Sequence, residues 1–243
     1  MSPPPQGSAA SRLDAVQKAG VVRVCTPGDY KPFSFQKTDS SYEGIDIDLV
    51  TAFSKSLGAK PEWIKTTWAN LLPDLAAGKC DIAVGGVSVT TDRQKRAFFS
   101  APYMVNGKTP IARCADTAKY QTIAQIDQPT VKVIFNPGGS NERFARQNFK
   151  RAQLTEHGEN VTIFDEILAN RADVFVTESA EAITQQKLRP GLCAINPDKP
   201  LQYGEMAWML PRDDVAFKAY VDQWLHLSVA GGEFQRVEDR WLK

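Results

Sequence analysis

The 243-residue chain has almost no histidine, no excess of either charge and no long apolar run. Its two histidines, His157 and His226, lie 69 residues apart, and no C-x-x-C or H-E-x-x-H spacing occurs. Zinc sites and histidine-centred catalysis draw on such clusters, so neither a metal nor an organic cofactor is expected. Twenty-nine basic residues against 28 acidic ones leave a net charge of +1, without the basic footprint of a nucleic-acid binder. No stretch free of Asp, Glu, Lys and Arg exceeds eleven residues, too short for a helix that inserts into a membrane. The chemistry must therefore come from carboxylates, arginines, amides and hydroxyls. Four cysteines (Cys25, Cys80, Cys114 and Cys193) are widely dispersed. The first residues, MSPPPQGSAAS, lack the charged-then-apolar layout of a signal peptide and read as a flexible leader over 1–11.

What is present alternates short apolar runs with helical periodicity. Ser11 can cap a first helix, SRLDAVQKA, that Gly20 stops. VVRVC (21–25) has the continuous apolar character of a strand buried on both faces. Ile45, Leu49, Phe53 and Leu57 then recur every four residues, and Gly58 closes that helix. PEWIK reads as a strand, WANLLPDLAAG as a helix and DIAVGGVSV as another buried strand. The series begins again with VKVIF (131–135), two helices, the strand ADVFVT and the helix ESAEAITQQ. Two βαβ series predict an α/β protein of two lobes, each a mostly parallel sheet flanked by helices. APYMVNGKTPIAR (101–113) and LQYGEMAWMLP (201–211) lack helical spacing and suit two extended crossovers, followed by two amphipathic helices. The expected division is 12–105 with 206–243 for one lobe and 106–205 for the other. A ligand would occupy the cleft between them, at the carboxyl ends of the strands.

Three constellations bear on that cleft. In GGVSVTTDRQKR, glycines admit a ligand to backbone N–H groups, Ser88 and Thr90 add hydroxyls, and Arg93 offers a fork matched to a carboxylate. The plainer reading is a helix capped by Thr91 with solvated basic residues behind it. In FNPGGSNERF, a strand runs through two glycines into a helix N-terminus that favours negative charge, with Asn136, Ser140 and Asn141 as neutral donors. A turn and cap would look the same. Neither motif ends in the GK[ST] of a phosphate loop. One cradle per lobe suits a ligand with two anionic groups, or with one anion and another acceptor. In ADVFVTESAEAITQQ, Glu178 and Glu181 stand three apart at the start of a helix, where acids commonly complement the dipole. If Glu181 instead faced an apolar cleft beside Glu178, burial and like charge would keep it protonated as a general acid. Tyr30 and Trp68 follow the first two strands and are candidates for cleft wall rather than core.

In this order, these pieces resemble the type II periplasmic solute-binding proteins of the amino-acid class over nearly the whole chain, from about Leu13 to Trp241. That resemblance implies that Arg93 grips an α-carboxylate and that the acid at 178 holds an α-amino group. GDYKPFS, TTWANL, TDRQKRAFFSAPY, NGKTPI, QIDQP, NPGGSNERFAR, VTIF and YVDQWLH are more specifically similar to the cyclohexadienyl dehydratases, a branch built on the same scaffold. The branch converts prephenate or arogenate to phenylpyruvate or phenylalanine. It implies Glu181 as general acid and an amide-rich pocket from Trp68, Asn136 and Asn141. It also implies a removed signal peptide, a periplasmic location and a disulfide between Cys114 and Cys193. Position 178 is Glu where the branch carries Asp.

Prephenate bears two carboxylates, answering the two cradles, and a ring hydroxyl that must leave as water. One positioned acid suffices, because loss of CO2 aromatises the ring. The ring carboxylate must shed its hydration, which neutral Asn and Ser donors favour. The partner expected is thus a small molecule, prephenate or arogenate, bound by a monomer or small homo-oligomer. The competing reading is a non-catalytic receptor of an ABC importer, which has no need of a second acid at 181. Cys25 and Cys80 fall near opposite ends of two neighbouring strands and are expected as two buried thiols.

Overall fold

The computed structural model describes residues 10–243, so the leader expected over 1–11 lies outside the described residues except for its last two. Ser11 does cap the first helix, Arg12–Ala19: its hydroxyl accepts the Leu13 N–H at 3.1 Å. The same hydroxyl donates to Asp214 at 2.8 Å, tying this helix to the start of the helix Val215–Ala230. Gly20 ends the first helix with φ +67°, and the strand Val21–Thr26 follows at once. Helix Ile45–Ser56 buries Ile45, Leu49 and Phe53 on one face, as their four-residue spacing demands.

Two sheets form the cores of two lobes. The first runs in the order Lys60–Lys65, Val21–Thr26, Ile82–Ala83, Met209–Leu210, Phe98–Phe99. Its first three strands are parallel, and Met209–Leu210 is antiparallel to both neighbours. In the second, Gln153–Glu156, Lys132–Phe135 and Val174–Glu178 are parallel. The long strand Met104–Arg113 joins Val174–Glu178 antiparallel and pairs in turn with Leu192–Ala194 and Gln202–Met206. The parallel strands come from the βαβ series. Met104–Arg113, Gln202–Met206 and Met209–Leu210 come from the two extended crossovers, which run in opposite directions between the sheets and pair with each other.

Each sheet has its own apolar cluster. One gathers Val24, Phe53, Trp208 and Phe217; the other gathers Val133, Phe164, Phe175 and Ile167. A third, around Leu71, Leu75 and Met209, fills the space under the helix Leu71–Ala76. Here one expectation is overturned. Cys25 and Cys80 are not thiols but a disulfide, with Cα atoms 5.7 Å apart. The strand expected over DIAVGGVSV is only Ile82–Ala83, so Cys80 is not its extension. Cys80 lies just past the helix Leu71–Ala76, which packs on the strand of Cys25, and this brings the two sulfurs to one sheet face. Cys114 and Cys193 are also bridged, as the resemblance implied.

Candidate active site

The loop after Ile82–Ala83 is fixed by a buried carboxylate. Asp46 Oδ2 accepts the N–H groups of Gly85 at 2.8 Å and Gly86 at 2.7 Å, and its Oδ1 accepts Trp208 Nε1 at 2.9 Å. Burial pushes the Asp46 carboxyl up, and the three hydrogen bonds oppose that. At Gly86, φ is +75° and a Cβ would stand 2.5 Å from the Phe33 ring, so only glycine fits. This turn delivers Ser88 to the cleft. The helix cap expected at Thr91 is made one residue earlier: the Thr90 hydroxyl accepts the Arg93 N–H at 3.2 Å, opening the short helix Thr91–Gln94. Arg93 is buried, donates to the Ser88 carbonyl at 2.8 Å and has no ion pair among the described residues. Burial lowers its guanidinium to about 10, with Arg143 pushing the same way and Glu178 opposing. Such a cation is incompletely compensated until an anion arrives.

At the centre stands a group that sequence reasoning missed. Lys108, from the long strand, directs its three N–H donors to Glu178 Oε1 at 2.7 Å, Asn141 Oδ1 at 2.6 Å and Ser140 Oγ at 2.9 Å. Burial lowers its ammonium, while the charge of Glu178 resists. Ser88 also donates to Glu178 Oε1, at 2.6 Å, and meets the Ser140 hydroxyl at 3.1 Å. These contacts join the two lobes across the cleft. Glu178 Oε2 remains buried without a partner. Asn141 Nδ2 spans Asn136 Oδ1 at 3.3 Å and Thr177 Oγ1 at 3.1 Å. The N–H of Gly138 is already taken by Glu142 at 2.7 Å, so the second cradle has fewer free donors than its sequence promised.

Glu181 lies on the next step. It is fully buried, its Oε2 meets the Thr177 hydroxyl at 2.6 Å, and its Oε1 accepts Asn160 Nδ2 at 3.1 Å. Burial drives its carboxyl well above the usual carboxylate range. The charges of Asp29 and Glu178 push the same way, and the bonds from Thr177 and Asn160 oppose. Asp29 accepts Trp68 Nε1 at 3.0 Å and is itself raised by burial to about 6.

Tyr30, Trp68, Ser88, Asn136, Ser140 and Asn141 line one narrow pocket. Tyr30 and Trp68 meet edge to face at 5.6 Å; they line the pocket and also belong to the core, Tyr30 within the first apolar cluster and Trp68 packed against it. Beyond the Ser88–Ser140 contact, a second pocket of about 460 Å³ is lined by Thr90, Lys108, Arg143 and Glu178 among others. The site residues read from the sequence therefore converge, with Arg93 and Glu181 one layer behind the walls. Lys108, Asp29 and Asn160 were not foreseen. A lysine inside an apolar extended segment was the available signal for the first; the other two carry none.

Residues 22–243 match the model of the bacterial extracellular solute-binding proteins, family 3. The cyclohexadienyl dehydratase of Pseudomonas aeruginosa is 47% identical over 233 residues, covering 96% of this chain and 87% of that protein. A solved ancestral cyclohexadienyl dehydratase is 47% identical, with 96% of this chain and 97% of that one covered and a TM-score of 0.61. A solved ancestral amino acid-binding protein, described as a precursor of cyclohexadienyl dehydratase, is 32% identical with a TM-score of 0.89. It covers 96% of this chain and 100% of its own.

Proposed function

We propose a function from one premise: the chain belongs to the bacterial extracellular solute-binding proteins, family 3. On that scaffold it acts as a cyclohexadienyl dehydratase, a carbon–oxygen lyase that converts prephenate to phenylpyruvate, arogenate to phenylalanine, or both. The observation that carries the reading is Glu181, a second carboxyl next to the cleft, fully buried and hydrogen-bonded by Thr177 and Asn160. A transport receptor needs one acid for an ammonium group, and Glu178 already supplies it.

Substrate lies against Tyr30 and Trp68, which line the pocket side by side. Arg93 and the Ser88–Thr90 turn balance its side-chain carboxylate; Asn136, Asn141 and Ser140 face the ring carboxylate. Burial keeps Glu181 protonated, and it is the acid. Its proton goes to the ring hydroxyl, and the C–O bond breaks with its electron pair leaving on water. The bond to the ring carboxylate breaks in turn, CO2 departs, and its electron pair completes the aromatic ring. Asn136, Asn141 and Ser140 meet that carboxylate with neutral groups, while the Lys108 ammonium behind them is already paired with Glu178, and this favours its loss of charge. Lys108 pairs with Glu178 and holds Asn141 and Ser140 in place.

The lobes are assigned to 12–105 with 206–243 and to 106–205, and the protein works in the periplasm, as a monomer or small homo-oligomer, where both disulfides persist. The test is to mix purified protein with prephenate and follow phenylpyruvate absorbance. Wild type should turn over, and Glu181→Gln should lose about 10²–10⁴-fold in kcat. Absence of wild-type turnover, with an amino acid raising the melting temperature, would instead identify a receptor.

A further inference from the structure

Asn160 opens a single 3-10 turn, Asn160–Thr162, and is almost fully buried. Its Nδ2 makes two hydrogen bonds in different directions: to Glu181 Oε1 at 3.1 Å, within its own lobe, and to the backbone carbonyl of Asp29 at 3.0 Å, in the other. Both partners are acceptors, so the amide cannot be turned the other way without setting oxygen against oxygen. Its Oδ1 has no partner, although it is buried. A buried acceptor left without a partner is costly, which marks a side chain held for its donors.

The turn is well anchored on the side of Glu181. Arg189, at the end of the helix that carries Glu181, donates to the Val161 carbonyl at 2.9 Å and to Asp165 at 3.2 Å. On the opposite side, the strand Asp29–Tyr30 packs directly against the turn. Any separation of the lobes must break the Asn160–Asp29 bond and admit water to Glu181. We propose that Asn160 is a positioning residue that ties the orientation and the charge of Glu181 to contact between the two lobes. This inference rests on the assignment of Glu181 as the acid.

Glu181 is faced by Asp29 and Tyr30 from one strand, Glu178 and Thr177 from another, Lys108 from a third, and Asn160 from the turn. Of these, Asn160 alone both touches Glu181 and bonds the opposite lobe through one group. With the lobes together, Asn160 Nδ2 donates to Oε1 and the Thr177 hydroxyl donates to Oε2, which fixes the plane of the carboxyl, and burial keeps its proton. With the lobes apart, the carboxyl is hydrated and its proton is released, so the acid is charged with a proton only as the cleft shuts.

The experiment uses Asn160→Ala and the isosteric Asn160→Asp in the whole protein. The carboxyl carbon of Glu181 is titrated by 13C NMR, assigned against Glu181→Gln, beside pH profiles of kcat on prephenate. In Asn160→Ala the lobes separate and water reaches the carboxyl, which removes the burial that raises Glu181, so its midpoint should fall by at least about half a unit. The high-pH limb of kcat should move down with it, and kcat at neutrality should fall about tenfold to a hundredfold. Small-angle scattering of Asn160→Ala should show a more expanded molecule. A lowered melting temperature with midpoint and limb unmoved in both variants would overturn the inference, and an unchanged scattering profile would overturn the link to closure. Failure of wild type to turn over would sink the dehydratase reading, while the titration would still decide the role of Asn160.

Discussion

Replacing Lys108 with methionine keeps the length of the side chain and removes its charge. In the wild type all three ammonium donors are used, on Glu178, Asn141 and Ser140, and the pair Lys108–Glu178 is 2.7 Å apart with both side chains more than nine-tenths buried. Methionine leaves Glu178 with one hydrogen bond, from Ser88, and with Oε2 still unpartnered. Removing one member of a buried ion pair costs about 3–5 kcal/mol, most of it for the stranded charge. For a chain of this size that lowers the melting temperature by roughly 6–20 °C. The double variant Lys108→Met/Glu178→Gln removes the stranded charge as well and should recover at least about 2 kcal/mol of the loss. Urea unfolding of the three proteins, with a common slope, measures both quantities. A loss below about 1 kcal/mol in Lys108→Met, or a double variant no more stable than the single one, would refute the view of Lys108 as the counter-charge that holds the site together.

Asp29→Asn should keep the Trp68 bond and remove a carboxyl that burial has raised from 3.8 to about 6. For a raised acid the stability it allows is full below about pH 4 and is lost as pH rises through about 6, a loss of up to ~3 kcal/mol. Thermal unfolding of the variant should therefore be flatter between pH 4 and 7 and higher at pH 7.5; an unchanged profile would contradict that burial. Gly138→Ala tests closure. A methyl there would meet the Ala69 nitrogen at 2.7 Å, on a residue with φ +85°. It should prop the cleft ajar and lower kcat/KM more than tenfold for a stability loss of only about 1–2 kcal/mol; unaltered kinetics would show that catalysis does not bring residues 138 and 69 together.

Much of the frame was legible because local signals and burial agree. Ser11 and Gly20 bound the first helix where the sequence placed them, and Ile45, Leu49 and Phe53 point inward as their spacing requires. Two lobes with two crossovers followed from the repeated βαβ order. What local pattern cannot encode is which way a crossover runs once it joins a sheet, so the antiparallel pairing of Met104–Arg113 was not foreseen. The site divides along the same line. Arg93, Asn141, Glu178 and Glu181 stand beside turn and cap signals, and they converge. Lys108 and Asn160 act through partners 70 and 21 residues away, distances that no periodicity reports. Cys25 and Cys80 were misjudged for a related reason: Cys80 lies on the turn between the helix Leu71–Ala76 and the strand Ile82–Ala83, and no periodicity reports where that turn sets it.

The two disulfides join the first cysteine to the second and the third to the fourth. Of the three ways to pair four cysteines, this is the one in which the loops neither nest nor interleave. A chain emerging N-terminus first into an oxidising compartment exposes Cys25 and Cys80 to each other before Cys114 has appeared. Cys193 then arrives to find one free thiol. The order of emergence itself selects the native pairing, and the arrangement calls for little disulfide reshuffling on the way to the folded state.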